Sequence, residues 1–163
     1  MRPASLMRSL QVVIHERLGT WAGQLRPRLA SSGLGTIRWV ETRSTTDLDR
    51  AVRASVAPVV VIDLADRAGS MLEDLDVAVQ AAPLGLFLVL DPKNRIVGSQ
   101  VRELGATDVL SGFVPPPKVA RIVASWLPTA RRRIERDGWA PPEQPEPELW
   151  ELPRIGSRQP LRP

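Results

Sequence analysis

Two short runs of the chain are apolar at every position, and they limit the folds that the sequence can adopt. Residues 59–62 read Val-Val-Val-Ile, and residues 86–90 read Leu-Phe-Leu-Val-Leu. A strand with one face in water alternates apolar and polar side chains, whereas an unbroken aliphatic run is typical of a strand covered on both faces. The two runs therefore predict interior strands of a parallel sheet with helices on both sides.

Three weaker runs of β-branched and aliphatic residues complete a set of five predicted strands. They span residues 10–14, 36–40 and 109–110. The run at 36–40 reads Thr-Ile-Arg-Trp-Val and alternates in part, which predicts an edge strand.

Segments with helical periodicity follow each predicted strand. The first is predicted to start at a Thr20 cap, and the third with a capping box formed by Ser70 and Glu73. The fourth is predicted from about Asn94 to a C-cap at Gly105. The fifth carries a single apolar stripe at i, i+3, i+4, i+7 and i+8. This stripe consists of Val119, Ile122, Val123, Trp126 and Leu127.

Strands that alternate with helices of this length are joined by right-handed crossovers into a parallel sheet. We therefore predict an α/β domain over residues 10–137, after a short lead-in at residues 1–9. Its sheet is doubly wound and five-stranded, with the flavodoxin-like order 2-1-3-4-5. The Rossmann order is the alternative. The first turn lacks Gly-x-Gly-x-x-Gly and no P-loop occurs, so nucleotide binding is not predicted.

The last part of the chain, residues 138–163, has a different composition. It holds seven of the 16 prolines and few aliphatic residues, which predicts a flexible tail. Within it, Leu149, Trp150 and Leu152 form a short apolar cluster. We interpret these three residues as a motif that docks on a partner protein, with Trp150 as its anchor. The alternatives are that Trp150 packs on its own domain or has no such role.

Composition and charge narrow the class of protein. The chain has no cysteine, which excludes disulfides and thiolate metal sites and fits a cytoplasmic location. Its longest nearly apolar stretch, residues 77–90, is too short to span a bilayer. The formal net charge is only +4, and acidic residues directly follow the arginine run at 131–133. A nucleic-acid or membrane partner is therefore not predicted.

Polar side chains stand at the predicted carboxyl ends of three strands, where open parallel sheets place their functional crevice. They are His15 and Glu16 after the first strand, Asp63 after the third and Asp91 after the fourth. We expect them to converge on one shallow pocket, in which carboxylates can hold a hard cation. The structural alternatives for Asp63 are that it caps the next turn or faces water at a strand end. Those for His15 and Asp91 are a hydrogen-bonded strand end and a turn opener, respectively.

Residues 10–127 resemble the receiver domain of bacterial response regulators. Val-Val-Ile before His15 and Glu16 stands where that family has a strand ending in two magnesium-binding acids. Val-Val-Val-Ile before Asp63 matches the third strand and its phosphate-accepting aspartate, and residues 105–111 resemble the turn into the last strand. The resemblance implies that Asp63 holds the phosphoacceptor position, and that Glu16 and Asp63 are candidate ligands for weakly bound Mg²⁺.

Several positions depart from the pattern of the family. His15 replaces the first acid, and Leu90 stands where the family has threonine or serine. Gly112 and Phe113 stand in place of its lysine and proline. We expect these four residues, together with Asp91, to form the rim of the pocket. The departures imply a degenerate receiver, or pseudo-receiver.

The leading hypothesis is a stand-alone, non-enzymatic pseudo-receiver that acts as a phosphorylation-independent protein-interaction module in signalling. A partner would contact the tail or, as the resemblance alone implies, the exposed face of the fourth and fifth helices. Receivers use that face for self-association, so a homodimer is a further expectation. One alternative is an atypical single-domain response regulator phosphorylated on Asp63. The other is a flavodoxin-like protein that binds a small ligand or metal through His15, Glu16, Asp63 and Asp91.

Overall fold

In the part of the chain that the structure describes, ten elements alternate strictly between strand and helix. The computed structural model describes residues 9–31, 33, 35–65, 68–95 and 98–137. The five strands are β1 (Leu10–His15), β2 (Ile37–Thr42), β3 (Val59–Asp63), β4 (Leu86–Asp91) and β5 (Asp108–Ser111). The five helices are α1 (Thr20–Leu29), α2 (Thr45–Val52), α3 (Ala68–Ala81), α4 (Gly98–Glu103) and α5 (Pro116–Asp137).

The strands form one parallel sheet in the order β2-β1-β3-β4-β5. The predicted fold class and strand order are confirmed, and β2 lies at an edge as its partial alternation predicted. Every residue of β1 and β4 is buried, and so are four of the five residues of β3. This burial on both faces accounts for the unbroken aliphatic runs of β3 and β4.

Successive side chains of each interior strand point to opposite faces of the sheet and so form two separate cores. One core lies between the sheet and helices α1 and α5, and includes Ile14, Val61 and Leu90. The other lies between the sheet and helices α2, α3 and α4, and includes Val13, Ile62 and Val89. Whether a residue has an odd or even position along its strand, its parity, therefore decides which helices its side chain contacts.

Two helix ends differ from the sequence-based expectations. Helix α3 begins at Ala68, so Ser70 lies inside its first turn and the predicted capping box is wrong. Helix α4 is short because it begins at Gly98 rather than near Asn94. The predicted stop after α4 is confirmed, because Gly105 adopts a φ of 109° directly beyond the helix.

Helix α5 is longer than its predicted stripe. It continues through Pro128 to Asp137, and the buried stripe extends to Ala130 and Ile134. The added turns bring the end of α5 back past the amino edge of the sheet. There the guanidinium of Arg133 donates a hydrogen bond to the carbonyl of Leu84 at 2.7 Å.

The predicted flexible tail with its docking residues Leu149, Trp150 and Leu152 lies outside the described residues, as does the lead-in up to residue 8. None of the helices in the described ranges has the length and apolar character needed to cross a bilayer.

Gly105 and Gly23 form a matched pair for testing this packing. A Cβ at Gly105 would lie 2.7 Å from Val79 Cγ1, on a backbone with positive φ, whereas a Cβ at Gly23 in α1 would have no heavy atom within 4 Å. We expect Gly105→Ala to lower the free energy of unfolding by about 2 kcal/mol. Gly23→Ala should raise it by about 0.5–1 kcal/mol.

The two variants are compared by urea denaturation, with unchanged m-values as the check on two-state unfolding. Equal stability of Gly105→Ala and the unmodified chain would show that the turn after α4 does not have the conformation described.

Candidate functional site

A pocket of about 420 Å³ opens at the carboxyl edge of the sheet, on the side of α1 and α5. The carboxylate of Asp63 and the indole of Trp21 line it, together with apolar side chains from the loops after β4 and β5. The full lining consists of Thr20, Trp21, Gln24, Asp63, Leu90, Pro92, Gly112, Phe113, Val114 and Pro116. The pocket is thus largely apolar, with one acid in its wall.

Asp63, the candidate phosphoacceptor, is half-buried and hydrogen-bonded through both carboxylate oxygens. The Nε1 atom of Trp21 donates to its Oδ2 at 2.9 Å, and the backbone N–H of Ala65 donates to its Oδ1 at 3.1 Å. In the sequence, Trp21 recurs with Leu25 and Leu29 at four-residue spacing, which by itself is typical of an apolar helix stripe. The structure adds Trp21 to the site, because its half-buried ring lies over the end of β3.

Glu16 holds the amino end of α1. Its carboxylate accepts hydrogen bonds from three consecutive backbone N–H groups, those of Thr20 at 3.0 Å, Trp21 at 2.9 Å and Ala22 at 3.2 Å. The side chain is buried, with only 2% exposure. A carboxylate in this position satisfies the free amide groups of the first turn and complements the positive end of the helix dipole.

The predicted Thr20 cap of α1 is therefore wrong. The N-cap position is Gly19, with a φ of 73° and no side chain to offer. The hydroxyl of Thr20 instead donates a hydrogen bond to the carboxylate of Glu16 at 3.2 Å. The chain obtains its cap from a residue three positions before Gly19.

His15 does not lie on the pocket rim, contrary to the prediction. Its ring is buried on the opposite side of the sheet, where Nδ1 lies 2.8 Å from Thr42 Oγ1 and Nε2 lies 3.0 Å from Asp74 Oδ2. Asp74, on α3, also accepts a hydrogen bond from the Thr45 hydroxyl. The sequence alternative of a hydrogen-bonded strand end describes this histidine correctly.

The hydroxyl, imidazole and carboxylate of Thr42, His15 and Asp74 have the spacing of a nucleophile, a base and an orienting acid. However, Thr42 is only 3% exposed. A hydroxyl at that depth is shielded from solvent, and the pocket lined by Asp63 lies on the other side of the sheet. We therefore interpret the cluster as a buried structural network.

Side-chain parity explains which predicted rim residues reach the pocket. Asp63 is in register with Leu90 and points to the α1 and α5 side with it. Asp91, the next residue after Leu90, points to the other face and is 1% exposed, so its predicted place on the rim is wrong. The structure places Leu90, Gly112 and Phe113 in the lining.

The described part of the chain contains no group of three or more histidine, cysteine or acidic side chains arranged to hold a metal ion. Glu16 and Asp63, the two predicted cation ligands, face the same side of the sheet. The oxygens of Glu16 are directed at the amide groups of α1, and those of Asp63 accept from Trp21 and Ala65. A cation would have to compete with these donors for both carboxylates.

Comparison with solved structures places this fold among CheY-like domains. Similar structures include a response regulator protein from Burkholderia pseudomallei, at a TM-score of 0.56 and 17% identity over 80% of this chain and 73% of that one. A CheY-like receiver domain protein from Methanospirillum hungatei JF-1 has a TM-score of 0.56 and 13% identity over 75% and 97% of the two chains.

A CheY-like protein, tadZ, from Pseudomonas aeruginosa PAO1 matches with a TM-score of 0.52 and 14% identity over 72% of this chain and 98% of that one. No protein-family model and no curated protein sequence matches the chain. The chain therefore has the CheY-like receiver fold, at a sequence identity that establishes the fold alone.

Substitution of Glu16 tests its role as a helix cap. Glu16→Ala leaves three amide donors of α1 without their acceptor, and should lower the free energy of unfolding by about 2–3 kcal/mol. Glu16→Gln keeps an oxygen acceptor but loses the charge–dipole attraction, and should lower it by about 1 kcal/mol.

Urea denaturation measures both changes. Glu73→Ala, at an exposed position of α3, serves as the control and should shift stability by less than about 0.5 kcal/mol. Equal stabilities for the Glu16 and Glu73 variants would contradict the capping role.

Proposed function

We propose that this protein is a pseudo-receiver, a signalling domain with the receiver fold that binds a protein partner without phosphorylation of Asp63. One observation carries the proposal: the indole of Trp21 donates to the carboxylate of Asp63 at 2.9 Å, while Glu16 is engaged as the cap of α1. Both candidate cation ligands therefore already have internal hydrogen-bond donors.

Phosphoryl transfer to an aspartate needs a divalent cation that neutralises the incoming oxygens. It is also favoured by a cationic donor to the phosphoryl group, and Gly112 supplies none at the position expected from the resemblance. A switch further requires a group that moves toward the phosphate, and Leu90 has no hydroxyl to do so. These substitutions support a role in which the domain binds its partner in one constant state.

The solved relatives support a role in signalling. Two are described as CheY-like, and the protein from Burkholderia pseudomallei holds a phosphorylated aspartic acid and a calcium ion. We infer that this chain uses the same fold for partner binding, with weak Mg²⁺ binding at most. The function is non-enzymatic and its location cytoplasmic.

We propose two candidate surfaces for the partner, one from the sequence and one from the family resemblance. In our proposal the domain of residues 10–137 carries a tail, residues 138–163, whose residues Leu149, Trp150 and Leu152 dock on the partner. The exposed face of α4 and α5 is the second candidate surface, and would support a homodimer.

Affinity capture with the full chain tests the proposal. Asp63→Asn keeps an oxygen acceptor for Trp21 but removes the phosphoacceptor, and should retain the captured partner within about twofold. Trp150→Ala should reduce capture by about tenfold or more, as expected for the loss of an aromatic anchor worth over about 1.4 kcal/mol.

Trp139→Ala is the matched control, because it removes another tryptophan of the same segment. It should retain the partner that Trp150→Ala loses, as measured by quantitative mass spectrometry. Capture that is lost with Asp63→Asn and retained with Trp150→Ala would overturn the proposal.

A further inference from the structure

The carboxyl edge carries the most exposed large apolar side chains of the described residues. Phe113, in the wall of the pocket, is 91% exposed, and Leu18, in the loop between β1 and α1, is 73% exposed. Trp21 and Leu90 continue this apolar surface into the pocket itself. An apolar pocket with exposed apolar residues at its entrance is typical of a binding site for an apolar or aromatic group.

Exposed cations surround this apolar surface. Arg17 and Arg43 belong to the loops after β1 and β2, Lys93 follows a lining residue of the pocket, and Lys118 lies in the first turn of α5. None of the four forms an ion pair with any other described residue. The acids nearby are committed internally, since Glu16 caps α1 and Asp63 accepts from Trp21. The edge therefore favours an acidic ligand that carries an apolar anchor.

The chain itself contains a segment with this chemistry. Residues 143–152 include four glutamates and no basic residue, and they hold the apolar residues Leu149, Trp150 and Leu152. Prolines at positions 145 and 147 favour an extended polyproline II conformation, which binds aromatic-lined grooves at a low entropic cost. The segment therefore has the acidic and apolar character that this edge of the sheet favours.

The connection to this segment is long enough to reach the pocket. Helix α5 has 22 residues, so its end at Asp137 lies about 33 Å from its start beside the pocket. Trp150 stands 13 residues beyond Asp137. Thirteen extended residues span up to about 43 Å, which exceeds the length of the helix.

We propose that residues 143–152 dock on the carboxyl edge of their own domain. Trp150 enters the pocket between Trp21 and Phe113, and the glutamates pair with the surrounding cations. The negative charge of Asp63 does not oppose this docking, because the group that reaches the pocket is an uncharged indole. The segment covers the exposed ring of Phe113.

Docking within one chain regulates partner binding, a consequence that rests on the proposed function. The docked residues are those assigned to the partner, so a partner must compete with the pocket for Trp150. The docking itself requires no partner, and its test therefore stands apart from the capture experiment.

Paramagnetic relaxation measured on the full chain tests the docking. The chain has no cysteine, so Gln144→Cys introduces a unique site for a nitroxide label. We expect the amide signals of Gly112, Phe113 and Val114 to be selectively weaker than in the same sample after the nitroxide is reduced. Attenuation confined to the end of α5, which the label reaches through its seven-residue connection to Asp137 without docking, would overturn the proposal.

Variants and an isotope mixture complete the test. Trp150→Ala should restore the three signals, and Lys118→Glu should restore them in part, whereas Trp139→Ala should leave them attenuated. In a second sample, chains that carry the nitroxide but no ¹⁵N are mixed with ¹⁵N chains that carry no nitroxide. The amide signals of the ¹⁵N chains should show no attenuation. Attenuation in this mixture would overturn docking within one chain in favour of a second copy, and persistence of attenuation in Trp150→Ala would overturn the role of Trp150.

Discussion

The hydrogen bonds that the first turn of α1 donates to the Glu16 carboxylate determine the arrangement of the carboxyl edge. They fix the start of the helix at Thr20 in the absence of a side chain at Gly19. With the helix start fixed, Trp21 lies over the end of β3 and its indole donates to Asp63. A residue that the family resemblance identifies as a cation ligand thus acts in this chain as a structural acceptor.

The fold follows from the sequence because its strongest signals act locally and agree with one another. The unbroken runs at 59–62 and 86–90 require two covered faces, and the apolar stripe of α5 supplies one cover. The helix ends are predicted less accurately from the sequence than the strands are. The cap of α1 by Glu16 depends on contacts that no propensity at the helix end encodes.

The site was predicted only in part, and side-chain parity explains the difference. His15 and Asp91 stand at strand ends, as expected, but their parity directs them to the face covered by α2, α3 and α4. Counting positions from the apolar residues of each strand would have separated them from Asp63 and Leu90. The role of Trp21 required the tertiary structure, because its spacing with Leu25 and Leu29 also describes an ordinary core helix.

The central proposal is that Asp63 does not work as a phosphorylation switch, and an amide NMR titration of the full chain tests it most directly. Magnesium is added first and beryllofluoride second, as a mimic of the aspartyl phosphate. The account predicts that the amide signals around Asp63 and along β5 stay in place at both steps. Shifts that centre on Asp63 and extend into β5 would contradict it, and would indicate a working phosphorylation site.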